Sequence, residues 1–122
     1  MFETPIHFNI EIKNKLFSLL YTDLMEVGQG GPEVGHITIN SKPLGKYYFG
    51  GPILSNDRYI YIPVYIKKCL GYGFKIAEIS INELEIRYLG SFKNLIYLDK
   101  IEGGTIVFYE DIHKEKRNET II

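Results

Sequence analysis

The chain has 122 residues, 14 Lys plus Arg against 15 Asp plus Glu, and a single cysteine. That length suits one domain spanning 1–122, able to bury roughly two thirds of the surface of its unfolded form without disulfide or metal staples. The net charge of −1 is spread evenly, six acids and five bases over 1–61 and nine of each over 62–122, which argues against nucleic-acid binding and against a polybasic membrane anchor.

Ten Tyr and seven Phe shift the expectation toward β structure. The first element, "IHFNIEIK", alternates Ile6, Phe8, Ile10 and Ile12 with His7, Asn9, Glu11 and Lys13. A turn at Lys13-Asn14 leads into "KLFSLLY". Over 14–27 the residues Leu16, Phe17, Leu20, Leu24 and Val27 also fit a helical stripe, so one short helix is the alternative to a strand there. "HITIN" (36–40) and "KYYFG" (46–50) flank a Lys42-Pro43-Leu44-Gly45 turn.

The strand at 58–66 has two unlike faces. Ile60, Ile62, Val64 and Ile66 form one; Tyr59, Tyr61, Pro63 and Tyr65 form the other. Pro63 cannot donate to a ladder, which favours an edge strand or a bulge. "GFKIAEISI" (73–81) changes phase between Phe74/Ile76 and Ile79/Ile81, and a bulge near Ala77-Glu78 would bring both pairs into one core. "LEIRYLG" follows, with Leu84, Ile86 and Tyr88 inward. Glu102-Gly103-Gly104 then marks a hairpin within "NLIYLDKIEGGTIVFYEDI". At the C-terminus, Ile121 and Ile122 either add to an edge or fray. The expected fold is mainly β: antiparallel sheets in a sandwich or partly open barrel, with blade-like hairpins.

Chemistry is sparse. "GQGGPEVG" (28–35) lacks the Lys-Ser/Thr ending of a phosphate loop and reads as a sharp turn. His7, His36 and His113 show no ligand spacing, so no metal or cofactor is expected. Cys69 follows two lysines but has no histidine beside it, and a passive thiol is expected. With one cysteine, no signal-peptide pattern at the N-terminus and no long apolar run, the expected setting is the cytoplasm. No catalytic constellation emerges, so the chain reads as a non-enzyme.

What remains is binding. Tyr59, Tyr61 and Tyr65 either lie under a second layer or grip a protein partner, since Tyr is enriched at interface hot spots. The acidic turns around Asp23 and Glu26, and around Asp99 and Glu102, are the other candidate partner contacts. A ligand-binding β barrel using the same tyrosines is the alternative, and an enzyme with a dispersed site ranks below it.

Two likenesses add to this. "FKIAEISI" and "GTIVFYEDI" resemble the third strand of a β-propeller blade, and "ILSNDRYIYIPVY" the turn and strand before it. Four blades of about 40 residues do not fit this length, whereas two packed sheets do. The small, Tyr-rich, motif-free character, with "GGP" at 30–32 and 50–52 and the ending "YEDIHKEKRNE", resembles immunity proteins of bacterial polymorphic-toxin systems. That resemblance implies a protein that neutralises a cognate toxin by occlusion; it transfers no individual residue.

Overall fold

The computed structural model describes residues 3–68 and 71–122, and Cys69 lies outside them. Twelve strands and no helix occur among the described residues. They are β1 (Glu11–Lys13), β2 (Ser18–Glu26), β3 (Glu33–Ile39), β4 (Lys42–Pro43), β5 (Tyr48–Phe49) and β6 (Leu54–Ser55). Then come β7 (Tyr59–Lys68), β8 (Gly71–Ser80), β9 (Ile86–Lys93), β10 (Tyr97–Glu102), β11 (Thr105–Tyr109) and β12 (Arg117–Ile121). The larger sheet runs β1-β2-β3-β5-β7-β8-β9, with β4 on β3 and β6 on β7; the smaller runs β10-β11-β12. All pairings are antiparallel, and the larger sheet does not close into a barrel. No helix of the described residues is long and apolar enough to cross a membrane.

The ambiguous stretch 14–27 is β, because its apolar residues divide by strand parity. Leu19 and Tyr21 point into the core, while Leu20 and Leu24 stay partly exposed. The Asn14 carboxamide accepts from the amides of Leu16 (2.8 Å) and Phe17 (3.0 Å), which turns the chain from β1 into β2. The N-terminal alternation promises more strand than forms. Pairing begins only at Glu11, and Ile6 and Ile10 are exposed while Phe8 is buried beside the Tyr21 ring. In the next hairpin the turn falls at Asn40-Ser41, earlier than 42–45. Both residues have positive φ, the geometry of the turns whose twist suits a two-residue hairpin. Gly103 and Gly104 (φ 58° and 78°) supply the same geometry between β10 and β11.

The long β7–β8 hairpin organises the molecule, for it is buried on both faces. Ile60, Ile62 and Val64 from β7, with Ala77 and Ile79 from β8, pack against Leu19, Tyr21, Ile37 and Ile39 of β2 and β3. The opposite face, with Tyr61, Phe74 and Ile76, packs against Leu98, Ile106 and Phe108 of the smaller sheet and Ile96 just before it. Two cores on two faces explain the phase change in β8 without the bulge expected at Ala77-Glu78. The β7–β8 register runs unbroken through both residues, and Phe74 and Ile79 simply enter different cores. The irregularity sits one strand further out, between Leu89 and Lys93 of β9, where Gly90 takes φ 72°.

Pro63 is likewise not on an edge. β5 pairs with β7 at Val64 and Tyr65, and β6 at Ile60 and Tyr61, which leaves a break opposite Pro63. Its carbonyl accepts from the Gly50 amide at 2.8 Å, so its nitrogen faces that break and no ladder bond is lost. At the C-terminus, β12 pairs along the full length of β11.

Candidate functional site

The tyrosine face of β7 lies beneath the smaller sheet, and its three rings are not equivalent. Tyr61 has no exposed surface. Its hydroxyl donates to Oε2 of Glu78, 3.0 Å away on β8. Arg87 of β9 completes the group, with Nε at 3.1 Å and Nη2 at 3.0 Å from Oε1 of Glu78. A carboxylate this deeply placed needs such donors, because an unpaired buried charge is strongly disfavoured. Burial and the neighbouring carboxylate push the Tyr61 phenol up to about 12. Tyr61 is thus a core residue, and the expectation that it contacts a partner is corrected: the second layer seals it from solvent. Tyr59 and Tyr65 are half-buried against the same core. Tyr65 clusters with Tyr72 and Phe74, ring centroids 5.7 and 5.9 Å apart.

The predicted acids do not converge. Asp23 sits at φ 53° where β2 loses register with β3, and Glu26 accepts the Gly30 amide at 2.5 Å. Asp99 and Glu102 belong to β10, in the other sheet. There Lys114 holds Asp99 at 3.0 Å and Lys100 holds Glu102 at 2.8 Å, drawing the Glu102 carboxyl below its usual range. His7 and His113 are exposed and separate, while the His36 ring stacks on Tyr48 at 4.2 Å with Nδ1 3.0 Å from the Tyr47 carbonyl. Among the described residues no three His, Cys, Asp or Glu side chains gather as a metal site would require. Of the 28–35 stretch, only 28–32 belongs to the loop joining β2 to β3, with Gly28 and Gly30 each at φ 70°; residues 33–35 are already in β3.

Exposed tyrosine comes from elsewhere. An open groove of about 510 Å3 is lined by Met25, Tyr47, Tyr48, Tyr65, Ile66 and Tyr88, with Lys46 and Lys67 on it. Tyr47 and Tyr88 are 47% and 41% exposed, high for such large rings. They reach the groove from the lead-in to β5 and from β9, and partial burial, together with the Tyr47 hydroxyl, raises the Tyr88 phenol above its usual value. Strand parity places Lys68 and Lys75 on the Ile66 side of the hairpin. The Lys68 ammonium lies 3.8 Å from the centre of the Phe92 ring, and Lys75 lies 5.7 Å from both Phe92 and Tyr88.

Comparison with protein-family models, curated proteins and solved structures returned no significant match. Geometry alone therefore carries the functional reading.

The sequence reading missed this groove for a traceable reason. "KYYFG" and Lys67-Lys68 advertise tyrosine and lysine, but the alternation in 84–88 put Tyr88 inward. Leu84 and Ile86 do pack against the first core, but Tyr88 stays 41% exposed while Leu89 is buried on the opposite face.

Proposed function

We propose that this chain is a non-catalytic protein-binding module, an inhibitor of the immunity type that neutralises a cognate bacterial toxin by occlusion. It docks through the groove of Tyr47, Tyr65 and Tyr88. One observation carries the reading: large amphipathic rings stand exposed in a concave surface, on a scaffold made rigid by two packed cores. Tyrosine offers wide apolar area and a polar tip at little conformational cost, which is why such rings anchor protein interfaces. In this reading Tyr65 is a partner contact, whereas Asp23 and Glu26, near Met25 in the chain, are not among the lining residues. Asp99 and Glu102 would serve only by exchanging their lysine partners.

A ligand-binding barrel is the weaker reading, since the larger sheet does not close and its tyrosine face is filled with side chains. The test is co-expression with a toxin encoded beside this chain's gene. The wild-type chain should restore growth, and Tyr47→Ala/Tyr88→Ala should not, although it melts at the same temperature. A folded double variant that protects fully sinks the proposal.

A further inference from the structure

Resting on that docking face, we infer that its occupant is an acidic segment of a partner protein, with carboxylates spaced among apolar side chains. Lys46 and Lys67 line the groove, and Lys68 and Lys75 stand over the aromatic rings that continue it. Among the described residues none of the four makes an ion pair. No carboxylate among the described residues lines the groove. The acids beside Met25 are Asp23 and Glu26, and Glu26 is turned back onto the Gly30 amide.

A chain of net charge −1 that keeps four unpaired ammonium groups around one aromatic surface carries there a positive field it lacks as a whole. The Lys68 and Lys75 ammonium groups stand over ring faces, so two of the four charges lie against a surface of low polarity. Complementarity therefore calls for negative charge opposite the lysines and apolar groups opposite Met25, Ile66 and Tyr47.

Single-stranded nucleic acid would also stack on tyrosine and meet lysine. One feature favours protein: the aliphatic lining of Met25 and Ile66 suits side chains better than bases.

The test is selection of a random peptide library on phage against the full chain. Parallel rounds use Tyr47→Ala/Tyr88→Ala and Lys67→Gln/Lys75→Gln, each checked for an unchanged melting curve. Peptides that need the tyrosines should be rich in Asp and Glu. They should weaken about tenfold or more on the lysine variant, the loss of roughly one favourable charged contact, and weaken further as salt rises. Tyrosine-dependent peptides that are neutral or basic overturn the acidic occupant and leave the docking face standing. A selection with no tyrosine-dependent peptide overturns both. Oligothymidylate that binds more tightly than the selected peptides, through the same lysines, reassigns the groove to nucleic acid.

Discussion

Tyr61 and Glu78 occupy directly opposed positions on β7 and β8, and the phenol hydrogen points at the carboxylate across 3.0 Å. Glu78 is the one charged residue among the described positions that lies within a core, 5% exposed. Arg87 reaches it from the far side of β8, so one buried carboxylate ties three consecutive strands together on the face covered by the smaller sheet.

Removing the phenol oxygen should therefore be costly without any change of shape. Tyr61→Phe leaves Oε2 of Glu78 without its donor, and a loss of about 1–3 kcal/mol is expected. Tyr61→Ala adds a cavity and should lose about 3–5 kcal/mol, by analogy with Phe. Pairing Tyr61→Phe with Glu78→Leu should cost less than the sum of the two, because the pair is one interaction. Denaturant unfolding at constant slope measures all four; a Tyr61→Phe variant as stable as wild type would refute the buried network.

Alkaline pH should destabilise the fold through the same group. The folded state holds the Tyr61 proton up to about 12, against an ordinary 10 in the unfolded chain. Below pH 10 both states are protonated and the contribution is complete. Between 10 and 12 the unfolded state releases its proton first, so stability falls as pH rises. Tyr21, buried and donating to the Gly50 carbonyl, shifts in the same direction. Unfolding midpoints measured across this window should decline less steeply in Tyr61→Phe than in wild type.

Tyr47→Ala and Tyr88→Ala should each leave stability within about 0.5 kcal/mol of wild type, the usual range for surface positions. Their effect belongs to complex formation, where a hot-spot tyrosine is worth roughly 2 kcal/mol or more. Thermal melting and partner affinity on the same proteins separate the two roles. Heavy destabilisation of either variant would make these rings structural.

Gly90→Ala tests the contact between the two sheets. The position has φ 72°, where an L side chain costs about 1–2 kcal/mol. The added Cβ would also stand 2.7 Å from Oγ1 of Thr120 on β12. Thr120→Ala should relieve only the second part, so the double variant recovers some but not all of the loss. Full recovery would mean the backbone conformation is not constrained there.

Much of the site's history can be followed residue by residue. Alternation in 58–66 correctly divides Ile60, Ile62 and Val64 from Tyr59, Tyr61 and Tyr65, because strand geometry sends neighbours to opposite faces whatever surrounds them. The glycine pair at 103–104 and the asparagine at 14 announce their turns for an equally local reason: φ and side-chain hydrogen bonds are properties of a few adjacent residues. These local signals suffice for an all-antiparallel β fold.

Coverage is not local. Tyr61 and Tyr88 are the same residue type in similar alternating segments, yet one is sealed and the other is 41% exposed. The difference is made by β10 to β12, a sheet contributed by residues distant in the chain, which lies over one face of β7–β8 and leaves part of the other open. The same non-local packing lets Phe74 and Ile79 of one strand enter two cores, and lets Pro63 sit at a break between β5 and β6. Sequence by itself determined which residues share a face; only the tertiary structure decided which faces meet water, because burial depends on what else is brought there.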